Sequence, residues 1–270
     1  MAWLTLKKGD EEAVLSYVAN EPEVNLFISG DLLSFGLDEK HVRIHAYQKE
    51  GVLAGVLLRY MDRNYVFYTK EKDFPYAEMA AIIKEENPTL AGVCVSGKSE
   101  VVKPLAPYLA PLAIEETMMA RCNALKKQLP HRPGAEVRFL KTKEEMESVY
   151  ELESTIAEFG PEKRSPSEVV DGLLAGVKRG SLVAGVYVDE KLVSSASSSA
   201  DTALSSMLIG VMTRVGYRQK GYASLVVGAL LEKLFARKEK FVCLFYDNPL
   251  AGRIYHAFGF EDVAPYSMLH

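Results

Sequence analysis

The chain has 270 residues, 48% of them hydrophobic and 25% charged, with a formal net charge of −4. That length holds one large domain or two of ordinary size with apolar cores. The charge balance excludes a global field that would draw in nucleic acid, so any phosphate contact has to be local.

Three scattered cysteines, Cys94, Cys122 and Cys243, lack metal-ligand spacing, and an odd number does not build a disulfide frame. They read as small core residues in a reducing, cytoplasmic setting. No basic patch followed by an apolar run opens the chain, and no apolar stretch has membrane-spanning length. Neither a signal peptide nor a membrane partner is therefore expected.

Trp3–Leu6 reads as a short strand. Gly9-Asp10 then opens a helical pattern carried by Ala13, Val14, Tyr17 and Val18. A second helical stretch covers about 24–33. Residues 42–47 alternate as a strand, Glu50-Gly51 turns, and 52–60 returns as its partner. After the turn Asp62-Arg63-Asn64 come a strand at 65–68 and a helix at 76–86, ended by Asn87-Pro88. A strand at 92–96, a short helix at 99–109 and a strand at 114–122 complete the first half.

Lys126–Gly134 (KKQLPHRPG) is polar and carries two prolines and a glycine. It reads as the linker, 126–134, between domains at 1–125 and 135–270. The second half starts with a strand at 137–140 and a helix at 143–156. Ser165-Pro166-Ser167-Glu168 is a capping box that starts a helix running to about 178. Strands at 181–188 and 192–199 flank a turn, and a third strand covers 204–213. A helix at 223–237 keeps Ala223, Val226, Val227, Leu230 and Leu234 on one face. A strand at 241–245, a helix at 249–258 stopped by Gly259, and an extended 260–269 follow. Both halves thus run strand, two helices, three strands, helix, strand, helix, strand. That order predicts two copies of one α/β (α+β) fold, although residue identity between them is slight.

The chemistry concentrates in two segments of the second copy. Arg218-Gln219-Lys220-Gly221-Tyr222-Ala223 sits where a strand gives way to a long helix. A helix start carries unpaired N–H groups and a partial positive charge, so it is ready for an anion. Gly221 lets the backbone approach a bulky ligand. The second segment, 248–260, holds Asn248, Ala251, Tyr255, Gly259 and Phe260 on and after the next helix.

Together these residues resemble the GCN5-related N-acetyltransferase (GNAT) superfamily. Arg218, Gly221 and Ala223 match its loop pattern Arg/Gln-x-x-Gly-x-Gly/Ala, and Asn248, Ala251, Tyr255, Gly259 and Phe260 match its second motif in order. The flavour is closest to glycine N-acyltransferase-like proteins, over roughly 137–270. The resemblance implies two tandem GNAT-like domains, each a mixed, mostly antiparallel sheet flanked by helices. It implies acetyl-CoA as acyl-donor co-substrate, no metal, and a small-molecule or peptide amine as acceptor. The main-chain N–H groups of Gln219, Lys220, Gly221, Tyr222 and Ala223 would hold the diphosphate beside Arg218. The pantetheine arm would pair with Val211, Met212 and Thr213 and bond to Asn248. Tyr255, a phenol with a pKa of about 10, would protonate the departing thiolate, and an N–H near Val211 would polarise the thioester carbonyl.

The family often places a glutamate on the strand before the loop, and 204–213 has no carboxylate. Glu153, Glu158 and Asp201 are candidate bases, beside a water chain or an amine that arrives neutral. The competing reading is a catalytically silent acyl-CoA-binding or sensor protein. Tyr255 also fits a plain core tyrosine, Asn248 a plain N-cap, and His256, about 100° round the helix from Tyr255, a surface residue.

Gly92-Val93-Cys94-Val95-Ser96-Gly97-Lys98-Ser99 matches the nucleotide P-loop pattern literally. There the glycine-rich stretch should follow a strand, whereas Val93-Cys94-Val95 read as the strand itself. In the first half, the segment corresponding to the phosphate loop is Thr69–Pro75, which has no glycine, two acids and a proline. The first half is therefore expected to be a degenerate copy that shapes the acceptor pocket without binding coenzyme A.

Overall fold

The computed structural model describes residues 2–38, 40–129, 131–157, 165–202, 204–237 and 241–270. The chain divides into two compact units, Met1–Met119 with Asp262–His270, and Ala120–Glu261. The division at 119/120 falls ahead of the linker expected at 126–134. The residues from Asp262 onward count with the first unit.

In the first unit the order is β1 (Ala2–Thr5), α1 (Glu11–Val18), α2 (Leu26–Phe35), β2 (Val42–Lys49), β3 (Val52–Tyr60), β4 (Asn64–Thr69), α3 (Tyr76–Glu86), β5 (Cys94–Lys98), α4 (Ser99–Val102) continued by a 3-10 turn, and β6 (Ile114–Cys122). Strands β1 to β4 are antiparallel neighbours, and β5 joins β4 in parallel. The C-terminal strand β12 (Phe260–Leu269) lies antiparallel on β5, with Tyr266 opposite Lys98 and Leu269 opposite Val95. Sequence order alone does not assign this last strand, because pairing depends on which sheet edge is left open.

The parallel pairing of β4 and β5 runs from Asn64/Cys94 to Val66/Ser96. Just beyond it the sheet is closed: a methyl built on Gly97 would stand 2.5 Å from the Phe67 carbonyl oxygen and 3.1 Å from Val102 Cγ2. Phe74, from the loop after β4, packs 4.9 Å from Phe67, 5.2 Å from Tyr47 and 5.4 Å from Tyr76, ring centre to ring centre. Glu71 of that loop pairs with Lys49 at 2.9 Å, and Pro75, which has no N–H, stands at the N-cap of α3. Lys98 of the P-loop-like run pairs with Glu21 at 3.0 Å and Glu100 at 2.8 Å, and Ser99 Oγ shares a 2.7 Å hydrogen bond with Ser267. Those side chains are spent inside the unit, in keeping with a strand end.

The second unit contains β7 (Ala135–Phe139), α5 (Lys143–Glu153), α6 (Pro166–Lys178), β8 (Val183–Val188), β9 (Lys191–Ser199), β10 (Ser205–Thr213), α7 (Tyr222–Ala236), β11 (Phe241–Tyr246) and α8 (Pro249–Phe258). Capping boxes start α5 at Thr142/Glu145 and α6 at Ser165/Glu168, so both helix starts have reciprocal hydrogen bonds. Strands β7 to β10 are antiparallel and β11 is parallel to β10. Helix α7 is buried along Leu225–Leu231 and at Leu234, more than the single face its periodicity predicts, because it packs on the sheet and on Phe258 of α8. The fold is therefore a mixed, mostly antiparallel α/β arrangement in which the sheet positions one helix start, that of α7, at the end of β10.

Candidate active site

Strands β10 and β11 pair only from Ser205/Phe241 to Met207/Cys243. Past that point Leu208–Thr213 and Phe245–Asn248 border opposite sides of a cleft of about 1030 Å³. The register of β10 on β9 slips between Ile209/Ser197 and Met212/Ser195, so β10 carries one extra residue there. Gly210 takes that bulge with φ of +60°, a conformation that costs a residue with a Cβ. Such a bulge turns the β10 edge into the wedge instead of onto its neighbour. Past the bulge Met212 pairs again with Ser195, and its carbonyl also accepts from the buried Ser194 hydroxyl at 2.7 Å.

After β10 a 3-10 turn (Val215–Tyr217) leads into the basic loop. Gln219 and Gly221 both have left-handed backbones, φ 63° and 84°, which fold the loop into a concave turn. The first helical bond of α7 runs from Leu225 N–H to the Gly221 carbonyl, and no side chain caps the helix. The N–H groups of Tyr222, Ala223 and Ser224 thus have no acceptor within the helix, and all three residues line the cleft. Arg218, Gln219 and Gly221 line it as well. Lys220 does not: its ammonium donates to the Gly216 carbonyl at 3.1 Å and lies 5.2 Å from the Tyr217 ring centre.

On the far wall, Asn248 caps α8 by accepting from Leu250 N–H at 2.9 Å. That bond uses its carbonyl oxygen and leaves the amide NH₂ for a second partner. Tyr255 lines the cleft at 6% exposure, with its ring 5.9 Å from those of Tyr246 and Phe260. Burial pushes its phenol up to about 12, so it keeps its proton at neutral pH. Gly252 permits this packing, because a methyl there would stand 2.5 Å from Tyr246 Cε2. His256 bonds to the Tyr246 hydroxyl at 3.3 Å in an exposed position and is not among the lining residues.

Of the sequence-nominated positions, Val211, Met212, Thr213, Arg218, Gln219, Gly221, Tyr222, Ala223, Asn248 and Tyr255 meet around this one cleft. Of the candidate bases, Asp201 is held by the hydroxyls of Ser181, Ser198 and Ser206 at 2.7, 3.1 and 2.5 Å, and it does not line the cleft. Glu153 does not line it either, and Glu158 lies outside the described residues. Sequence reasoning passed over Asp247, a carboxylate on the cleft wall, although its place beside Asn248 was a usable signal. It also passed over the apolar lining from Ile156, Ile254 and Leu250, which only the fold brings together. Among the described residues no group of three or more His, Cys, Asp or Glu could hold a metal ion, and no helix is long and apolar enough to cross a membrane.

Residues 146–260 match the model of the Acetyltransferase (GNAT) family. That stretch is similar to a GNAT acetyltransferase domain. Solved structures extend the likeness to nearly the whole chain. A Drosophila protein is 13% identical with a TM-score of 0.70, the match covering 99% of this chain and 97% of that one. A GCN5-related N-acetyltransferase from Sphaerobacter thermophilus is 12% identical with a TM-score of 0.69, covering 99% and 94%. A tandem GNAT protein from the clavulanic acid biosynthesis pathway is 14% identical with a TM-score of 0.64, covering 99% and 97%. Identities this low speak for the fold: the chain has the tandem GNAT architecture. Among curated proteins none matches the sequence. The wedge, the loop and Tyr255 all lie within the matched residues.

Proposed function

We propose that the second unit is an acyl-CoA-dependent N-acyltransferase that moves an acetyl group from acetyl-CoA to a primary amine by direct attack. The observation that carries this reading is the wedge between β10 and β11, with an uncapped helix start at one end and a buried, protonated tyrosine on its wall. A diphosphate fits the orphan N–H groups of Tyr222–Ser224 beside Arg218. An extended pantetheine arm fits the open edge at Val211–Thr213 and the free amide NH₂ of Asn248. The N–H at the bulge near Val211 is the oxyanion donor in this scheme.

The amine nitrogen forms a bond to the thioester carbonyl carbon, and its π electrons move onto oxygen. When the carbonyl reforms, the carbon–sulfur bond breaks. Tyr255 supplies a hydrogen bond or its proton to the departing sulfur, and the amine loses a proton to water. Acceptors that arrive neutral need no protein base, which suits a β10 without carboxylates. The glycine N-acyltransferase-like flavour of the motifs makes amino acids the first acceptors to screen, followed by peptide and small-molecule amines. A reducing, cytoplasmic location accords with three free cysteines, Cys94, Cys122 and Cys243.

A second reading, a silent acyl-CoA sensor, draws on one observation: Asp201 is engaged elsewhere, and β10 offers no acid. A thiol-release screen of acetyl-CoA against amine acceptors, run beside direct coenzyme A binding, separates the two. Turnover with any amine supports the enzyme, binding without turnover across the panel supports the sensor, and no binding sinks both.

A further inference from the structure

The two cations of the basic loop are both engaged locally. Arg218 Nε donates to the Thr213 carbonyl at 3.1 Å, and Lys220 donates to the Gly216 carbonyl at 3.1 Å. A third cation stands against the same turn. A methyl built on Gly221 would lie 2.5 Å from Arg132 Nη2, 2.6 Å from Nε and 2.9 Å from Cζ. The two nitrogens stand nearer than Cζ, so the group turns its Nε–Nη2 edge toward the place a methyl would take. Glycine at 221 answers the demand of a left-handed φ and leaves room for the mobile end of Arg132.

Arg132 is exposed, and among the described residues its side chain has no hydrogen bond and no ion pair. It comes from the segment before β7, outside residues 146–260, so the family's pattern does not include it. The positive end of α7, Arg218 and Lys220 all oppose a guanidinium at this spot. An anion on the orphan N–H groups of Tyr222–Ser224 reverses that balance, and an arginine fork suits phosphate oxygens two at a time.

We propose that Arg132, which stands beside the cleft lining at the N-cap of α7, swings over the diphosphate of the acyl-CoA substrate and pairs with it next to the helix start. The proposal rests on the coenzyme A reading of the cleft. It makes donor affinity depend on the segment that precedes the acetyltransferase domain as well as on the domain's own loop.

The test uses full-length Arg132→Gln and Arg132→Lys, titrated calorimetrically with coenzyme A, 3′-dephospho-coenzyme A and pantetheine at low and physiological ionic strength. Arg132→Gln should bind coenzyme A and its dephospho form about tenfold more weakly at low salt, the deficit shrinking as salt screens the contact. Pantetheine, which has no diphosphate, should bind as it does to the parent. Arg132→Lys should recover part of the loss, having the charge without the fork. Coenzyme A affinity within twofold of the parent in Arg132→Gln would overturn the proposal. A loss that spares the dephospho form, or one equally large for pantetheine, would overturn it too. A parent protein that binds no coenzyme A would instead remove the reading of the cleft itself.

Discussion

The Ser194 hydroxyl donates to the Met212 carbonyl at 2.7 Å, across the bulge that opens β10 toward the cleft. Met212 is 5% exposed, so water does not readily replace the serine. Ser194→Ala should cost about 1 kcal/mol of unfolding free energy, the usual net worth of one hydrogen bond, since Met212 keeps its ladder place opposite Ser195. It should also weaken coenzyme A binding, roughly threefold to tenfold, because the edge that the pantetheine arm would use loses its support. Chemical denaturation and calorimetry read the two effects separately. A stability loss with unchanged affinity would reduce Ser194 to a packing role.

Tyr255→Phe removes one oxygen from a buried ring and leaves its aromatic contacts in place. Turnover should fall by ~10²-fold or more if the phenol protonates sulfur, with coenzyme A affinity within about twofold of the parent. Because burial lifts the phenol to about 12, its deprotonation should not produce an alkaline limb in the rate below pH 10. An alkaline limb that disappears in the phenylalanine variant would contradict that burial.

Gly221→Ala tests the loop. Its φ of +84° costs an L-residue roughly 1–2 kcal/mol, and the new methyl pushes the Arg132 guanidinium aside. Donor affinity should drop by more than tenfold while far-ultraviolet circular dichroism stays that of the parent. Binding at parental strength would mean the loop does not grip the donor.

In the first unit, Glu86 anchors a charged cluster. It accepts from Arg43 at 2.8 Å, His45 at 3.1 Å and the Tyr65 hydroxyl at 2.7 Å, with Arg59 at 3.4 Å. Arg43 and Arg59 are direct cross-strand partners, so without the carboxylate two like charges face each other. Burial works against the charged carboxyl, but the bonds from His45, Tyr65 and Arg43 outweigh it and hold it at about 2, below its ordinary 4.5. A lowered folded pKa stabilises above pH 4.5, and that contribution, about 3 kcal/mol, is lost as the pH falls towards 2. Glu86→Gln should cost ~3–5 kcal/mol at neutral pH and flatten the acid limb of a stability profile. A variant as stable as the parent would show that the two arginines find other partners.

Much of this was legible in the chain because the signals are local. The capping box at Ser165/Glu168, the stop at Gly259 and the paired motifs around Gly221 and Tyr255 each act within a few residues. Long-range choices were not. The pairing of β12 with β5 depends on an open sheet edge, the burial of α7 on the sheet it covers, and the position of Arg132 on Gly221 on how a proline-rich segment folds back. The three serines that hold Asp201 come from β9, β10 and the turn before β8, which only the fold unites. The Thr69–Pro75 segment was read from what it lacks, while Phe74, which packs among Tyr47, Phe67 and Tyr76, was legible only as an apolar residue.

Asp31 supplies the opposite sign of pH dependence from Glu86. It sits on α2, and burial lifts its carboxyl from 3.8 to about 7. No hydrogen bond or ion pair among the described residues offsets that burial. A raised folded pKa means the folded state is favoured below pH 3.8, where the group is neutral in both states, and loses that advantage as the pH rises through 7. Asp31→Asn removes the ionisation while keeping shape and polarity. It should raise the stability at pH 8 by about 1–2 kcal/mol, the usual cost of an uncompensated buried polar group, and leave it unchanged near pH 4. Thermal melts of the two proteins at both pH values read this directly. Equal midpoints at pH 8 would mean that water or a neighbour reaches the carboxylate after all.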